Sequence, residues 1–289
     1  MEVFEFSKKL NIPKNSALCL GNFDGVHLGH RRLFHVAKGH KSWGALVFDG
    51  NFKGDKLITT LSEKLELIKN QGADFVICAK PDEGFLGLSG EQFYNILRDA
   101  GVGKLIAGYD FRFGKGAYHT CDDLVNWCKR DSIMVHIEGE YSFLGEAVKS
   151  SRIRGLIEKG EIPIANELLG YSYFLLGRVE KGLENGRKMG FPTANISYGD
   201  AKLLPPDGVY KGRIEIGENS YKAVINIGKN PTFDAKNRTV EVHIPNFEGD
   251  VYGESVRVEF AEKIRGEIKF GSVEELIAQI KRDVASALK

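Results

Sequence analysis

The first half of the chain alternates short apolar runs with stretches whose apolar positions recur every three or four residues. Runs at 17–23 (ALCLGNF), 44–48 (GALVF), 74–79 (DFVICA), 104–108 (KLIAG) and 133–138 (IMVHIE) predict strands. Helix signals lie between them. Ser89 with Gln92 makes a capping box ahead of Phe93, Ile96 and Leu97, and Ser62 opens another helix carrying Leu65, Leu67 and Ile68 before Gly72 ends it. This rhythm predicts an α/β domain with a parallel sheet covered by helices on both faces. Such sheets take ligands at the carboxyl ends of their strands.

After Tyr171 the period shortens to two. YFLLGRV, GVYKGRIEI, YKAVINIG, TVEVHI and SVRVEFA alternate apolar and polar positions between Gly, Pro and Asn turns, which predicts a small antiparallel barrel. A last helix starts at Ser272, with Glu275 three residues on, and Leu276, Ile280, Val284 and Leu288 as its buried stripe. The change of pattern near Glu167–Gly170 divides the chain into domains 1–168 and 169–289, with no long linker and no internal repeat.

Composition narrows the function classes. The 289 residues suffice for two cored domains, and 42% apolar with 27% charged residues is ordinary for a folded soluble protein. A net charge of +1 gives no reason to expect nucleic acid or an anionic membrane as partner. No run approaches the roughly 20 apolar residues of a membrane span, and no secretory leader opens the chain, so a cytoplasmic location is expected. Cys19, Cys78, Cys121 and Cys128 show no CxxC spacing and predict neither a zinc site nor a disulfide framework.

Three segments carry candidate chemistry. Residues 186–195 (GRKMGFPTAN) combine Gly186 and Gly190 with Arg187 and Lys188, then Pro192. Glycines let backbone N–H groups approach a phosphate. Thr193 and Asn195 point the same way along an extended segment and offer two neutral oxygens to a hard cation such as Mg²⁺. Residues 21–30 (GNFDGVHLGH) follow the first strand and open the first helix. There Gly21, Phe23, Asp24, Gly25 and Gly29 shape a loop, and His27 and His30 share one face as donors to phosphate oxygens. Alone, that spacing also suits a glycine-rich turn with surface histidines; a zinc pair lacks a third ligand nearby. Residues 108–116 (GYDFRFGKG) are no P-loop, because five residues separate Gly108 from Gly114-Lys115 and Gly116 stands where Ser or Thr is required.

Residues 21–30 resemble the signature of the HxGH nucleotidyltransferases, which transfer an adenylyl group from ATP to a phosphate. Ser150-Ser151-Arg152-Ile153-Arg154, ahead of a helix, is similar to that superfamily's second signature; in isolation it would be a helix start with exposed arginines. The segment around Asp110 resembles a family sequence written GxDFRFG. GRKMGFPTAN, LLPPDGVY (203–210), Asn226-Ile227-Gly228, Pro231-Thr232-Phe233, Glu241-Val242-His243 and Tyr252-Gly253 resemble the riboflavin kinase domain in order. The whole chain is similar to bacterial bifunctional riboflavin kinase/FMN adenylyltransferases.

The resemblance implies phosphorylation of riboflavin to FMN and adenylylation of FMN to FAD, both with ATP and Mg²⁺. It implies Glu241 as the kinase base; strand alternation puts Glu241 on the face opposite Val240, Val242 and Ile244, where without the resemblance a surface ion pair across strands is the favoured reading. It implies Thr193 and Asn195 as metal ligands, with Gly186, Arg187, Lys188 and Gly190 over the phosphates. For adenylyl transfer it implies His27, His30, Ser150, Ser151, Arg152 and Arg154, with Arg154 and the histidines catalytic. Three departures fall in the first half. Asp49-Gly50-Asn51-Phe52 replaces the family's Pro-His-Pro, Ala117-Tyr118-His119-Thr120 replaces an Arg and Gly-Asp segment, and Lys149 replaces a small residue. The rival readings are a monofunctional riboflavin kinase with a degenerate first domain and a flavin-binding regulator. The intact Thr193, Asn195 and Glu241 set argues against the regulator, because binding alone needs no base.

Overall fold

The computed structural model describes residues 1–50, 54–181, 190–229 and 238–289, in two compact units, Met1–Ser150 and Ser151–Lys289. In the first unit β1 (Glu2–Glu5), β2 (Ala17–Leu20), β3 (Trp43–Phe48), β4 (Phe75–Ala79), β5 (Lys104–Gly108) and β6 (Met134–Glu138) pair in parallel, in the order β1-β4-β3-β2-β5-β6. Every residue of β2 and β3 is buried, as expected for strands covered on both faces. The edge strand β1 is an addition to the five strands expected. It is four residues long and mostly exposed, so it carries no apolar run.

The helices of this unit are α1 (Leu28–Ala37), α2 (Leu61–Asn70), α3 (Glu83–Leu86), α4 (Gly90–Asp99) and α5 (Cys121–Arg130). α4 has the expected capping box: Gln92 N–H donates to Ser89 Oγ at 3.1 Å, and Ser89 N–H to Gln92 Oε1 at 2.8 Å. α2 begins earlier than expected. Thr60, not Ser62, is its cap, because Glu63 stands three residues on and takes the Thr60 N–H at 2.9 Å. The sheet grows to one side of β2 through β3 and β4 and to the other through β5 and β6, so the carboxyl end of β2 is where strand order reverses, the usual place for a ligand crevice. A short hairpin, β7 (Ser142–Phe143) with β8 (Glu146–Ala147), completes the unit.

Helix α6 (Ser150–Lys159) opens at Ser150 itself, so residues 150–154 form its first turns and do not precede it as the sequence reading had it. α7 (Ile162–Leu169) follows. The Asn166 side-chain amide donates to Phe260 O at 3.0 Å and accepts the Tyr173 N–H at 2.7 Å, which ties α7 to the second unit. The structural division therefore falls after Ser150, ahead of the change of sequence pattern.

The second unit is a closed antiparallel barrel of β9 (Phe174–Glu180), β10 (Thr193–Tyr198), β11 (Gly208–Ile216), β12 (Asn219–Lys229), β13 (Arg238–His243) and β14 (Ser255–Arg265), ordered β10-β13-β12-β11-β14-β9. β10 is the sixth strand, absent from the five expected, and it closes the ring between β9 and β13. Ile225, Ile227, Val240 and Val242 fill the lumen. Val209 and Val224 face outward under α8 (Val273–Leu288). Ser272 caps α8, but the Glu275 carboxylate takes the Gly271 N–H at 2.9 Å. The buried positions of α8 also differ from the expected stripe: Asp283 and Ala287 are buried, and Leu288 is exposed. Asp283 is drawn inside by Arg265, whose Nη2 lies 2.9 Å from Asp283 Oδ2.

Candidate active sites

The loop from Gly21 to Val26 is held in an unusual shape. Phe23, Gly25 and Val26 adopt φ of 52°, 85° and 39°, a region costly for residues with a side chain. Contacts below compensate. Asp24 is buried, and its Oδ1 accepts from Thr59 N–H at 3.0 Å, while Gly25 N–H donates to Thr59 Oγ1 at 2.8 Å. The Phe23 ring lies beneath Gly21, where a Cβ would sit 3.0 Å from Phe23 Cζ. Asp24 thus braces the loop with its carboxylate turned into the protein.

His27 caps α1, its Nδ1 accepting the His30 N–H at 3.3 Å. An accepting Nδ1 leaves the proton of the neutral ring on Nε2, available as a donor. The two rings stack with centroids 3.5 Å apart, and His30 meets Phe23 edge-on. Burial pushes the pKa of His27 down to about 4. Burial, then His27, then Lys64 hold His30 well below the usual imidazole value. Both rings are neutral near pH 7, donors without charge. Gly29 is needed by this stack, since a Cβ there would lie 3.2 Å from the His27 ring and 3.4 Å from Val148 O.

Ser150 Oγ donates to Asp24 O at 2.7 Å, joining the start of α6 to the loop. Ser151 is exposed, while Arg152 and Arg154 are half-buried on α6 and group with the second unit. A cavity of about 640 Å³ opens beside the loop, lined among others by Gly21, His30, Phe48, Phe85, Asp110 and Phe113. It is largely apolar and aromatic, with Asn22, His30, Asp110 and Arg112 as polar groups in its lining, as suits a flat heteroaromatic ligand with a charged tail.

In the barrel, Asn195 pairs in register with Glu241, and Thr193 with His243. Glu241 is also opposite Asn226 on its other side. Residues directly opposite one another have Cβ atoms about 5 Å apart. Because Val240 and Val242 point into the lumen, Thr193, Asn195, Glu241 and His243 share the outer wall. Burial raises the pKa of the Glu241 carboxyl, making it a better proton acceptor than a free carboxylate. His243 Nδ1 donates to Pro192 O at 2.8 Å, fixing the turn into β10. A cavity of about 420 Å³ adjoins, with Thr193, Val242, Phe247, Asp250 and Tyr252 in its lining. Among the described residues no cluster of three His, Cys, Asp or Glu side chains is placed to hold a metal. The oxygens of Thr193 and Asn195 fit a hard divalent ion that draws its remaining ligands from phosphate and water. Gly186, Arg187 and Lys188 lie outside the described residues, as do Asn51 and Phe52; Gly190 has a φ of 84° with open space around it.

A riboflavin kinase family model matches residues 169–289, and an FAD synthetase model matches 9–152. The bifunctional riboflavin kinase/FMN adenylyltransferase of Bacillus subtilis is 34% identical over 294 residues, covering 95% of this chain and 92% of that one. The protein of the same description from Escherichia coli K12 is 33% identical over 296 residues, covering 93% and 91%. The chain belongs to the bifunctional riboflavin kinase/FMN adenylyltransferase family. A crystal structure described as a macrolide-efflux protein from Streptococcus pneumoniae has a TM-score of 0.90 at 30% identity, covering 100% of this chain and 99% of that one. Among the described residues no helix is long and apolar enough to cross a membrane.

The two family matches fall one on each candidate site. Gly21 to Ser150 lies inside the FAD synthetase match, and Pro192 to His243 inside the riboflavin kinase match; Arg154 lies two residues beyond the former. The departures from the family pattern have structural partners of their own. His119 pairs with Phe113 across the loop that lines the larger cavity, and it fills the space that a side chain at Gly90 would need. Lys149 lies 3.7 Å from Glu140, which also accepts the Tyr109 hydroxyl.

Two residues near the sites escaped the sequence reading. Arg238 opens β13 and anchors it: its Nε lies 2.6 Å from Asp207 Oδ1, and its other nitrogens donate to Leu204 O and Pro205 O. Its place three residues before Glu241 was the available signal. Lys64 is buried on α2 and donates to Asn22 O and Phe48 O. A lysine on the apolar face of a helix, between Leu61 and Ile68, was the signal there.

Proposed function

We propose that the chain converts riboflavin to FMN in its barrel and FMN to FAD in its α/β unit, consuming one ATP in each step with Mg²⁺ as the metal. The observation that carries the reading is the register of β10 against β13, which sets Glu241 beside Asn195 and on the same wall as Thr193. Glu241 takes the proton of the terminal ribityl hydroxyl as its oxygen attacks the γ-phosphorus of ATP and ADP departs. Thr193 and Asn195 would hold the Mg²⁺, which when bound neutralises phosphate charge. The cavity beginning at Pro192 receives the nucleotide. Phosphoryl transfer depends chiefly on positioning, and the anchored ends of β10 and β13 supply it.

In the α/β unit the FMN phosphate attacks the α-phosphorus of ATP and pyrophosphate leaves. That nucleophile is already ionised, so the site needs donors and no base. His27 and His30 as neutral donors and the arginines Arg152 and Arg154 are assigned to the phosphates, Ser150 to holding the loop through Asp24 O, and the aromatic cavity to the flavin ring. The four unpaired cysteines agree with a reducing compartment such as the cytoplasm.

Incubation with riboflavin and MgATP, followed by chromatography of the flavins, tests the reading. FMN and FAD together are expected. FMN alone would leave a monofunctional kinase, and unchanged riboflavin would remove both activities.

A further inference from the structure

We propose that Lys64 is a positioning residue for adenylyl transfer, tying together the ends of two neighbouring strands in the wall of the flavin cavity. The inference rests on the reading that the first unit adenylylates FMN. Lys64 is 1% exposed, and its Nζ donates to Asn22 O at 2.9 Å and Phe48 O at 3.0 Å, with Asn22 Oδ1 at 3.5 Å. Asn22 follows β2 and Phe48 ends β3, adjacent strands of the parallel sheet, and both residues line the cavity of about 640 Å³.

Packing alone does not call for this residue. Leu67 and Ile68 on the same helix show that the position faces an apolar core, and burying an ammonium there is costly unless its donors are used. They are used on two carbonyls that have run past the last ladder bond between their strands. The ammonium therefore replaces a missing rung where the chain turns into the histidine-bearing loop. The charged and titratable groups that act on it are Asp24 in the loop, Asp49 after β3 and Cys78 on β4, and it acts in turn on His30 of α1. Burial brings Lys64 down to about 8 against the pull of Asp24, Cys78 and Asp49, so it keeps its proton at neutral pH. Its charge in turn disfavours a proton on His30, which preserves that ring as a neutral donor.

The test uses the full chain with Lys64→Met and Lys64→Arg, measuring FAD formation from FMN and ATP between pH 5 and 9. Riboflavin phosphorylation and FMN binding by flavin fluorescence run alongside. Lys64→Met is expected to lower kcat for FAD by roughly tenfold or more with riboflavin phosphorylation unchanged. The acid limb of its pH profile should move to higher pH as His30 is released from the nearby charge. Lys64→Arg should return the limb to its original place. A Met variant with unchanged kcat, or with a lowered kcat and an unmoved acid limb, overturns the proposal. Wild-type protein that forms no FAD at all removes the adenylyl-transfer reading and this proposal together, whereas wild-type FAD synthesis indifferent to Lys64 removes the proposal alone.

Discussion

Ser150 Oγ donates to the backbone oxygen of Asp24 across 2.7 Å, and that bond links two sequence segments 126 residues apart. It places the start of α6 against a loop already strained at Phe23 and Val26. Ser150→Ala removes a hydrogen bond with a net worth of about 1 kcal/mol. FAD formation is expected to fall by roughly 3- to 10-fold, with FMN formation unaffected, in assays of the separate half-reactions. Equal losses in both would show that Ser150 serves general stability.

His30→Ala removes one neutral donor from the adenylyl-transfer site. Donors of this kind contribute about 2–4 kcal/mol to a transition state. FAD formation should therefore drop by about two to three orders of magnitude, while riboflavin is still phosphorylated. Loss of both activities in a folded variant would contradict the assignment of separate sites.

Protons should destabilise the first unit. An unfolded imidazole binds its proton near 6.5, whereas His27 in the folded chain resists until about pH 4. The unfolded state therefore holds more protons between these values, and stability falls as pH drops below about 6.5, levelling off below about 4. The loss from His27 is on the order of 3 kcal/mol. Trp43 and Trp127 are the chain's two tryptophans and both lie in this unit, so urea titrations followed by tryptophan fluorescence report on it selectively. His27→Gln should flatten the dependence.

Glu241 shows the opposite sign. Its folded carboxyl binds protons more tightly than the unfolded one, so stability is greatest at low pH and declines as pH rises through the raised folded value. Near pH 7 the ionised, partly buried carboxylate opposes folding. Glu241→Gln is expected to abolish FMN formation while FAD is still made from supplied FMN, and to melt at the same temperature or higher. A clearly lower Tm would mean that the carboxylate supports the barrel.

Asp283→Ala should unfold the barrel unit more readily. It strands the Arg265 guanidinium, which holds the Asp283 carboxylate through Nε at 3.0 Å and Nη2 at 2.9 Å. Removing one partner of a buried pair costs about 3–5 kcal/mol. Chemical denaturation followed by far-UV circular dichroism measures it, and a loss below about 1 kcal/mol would refute the role.

How much of this was legible depended on whether a residue's role was local. The strand at 104–108 and the Ser89–Gln92 cap were plain because each is written within a few neighbours. Glu241 and Thr193 stood out through their motifs, and two-residue alternation placed Glu241 on the face opposite Val240 and Val242. Lys64 did not, because its partners Asn22 and Phe48 come from two distant strand ends. Asp283 misled for a related reason: periodicity in α8 favours Leu288, yet Arg265 from β14 draws the carboxylate inward. His27 and His30 were visible as a pair, but their neutrality comes from burial and stacking, which spacing does not record.

The chemistry proposed for the barrel is mounted on its outside, with Val240 and Val242 turned inward on either side of Glu241. Val240 and Glu241, neighbours on β13, therefore answer to independent constraints. A saturation scan along the strand would show tolerance alternating between volume-preserving exchange and chemical identity. Lumen and catalytic wall are thus free to evolve separately, one codon apart.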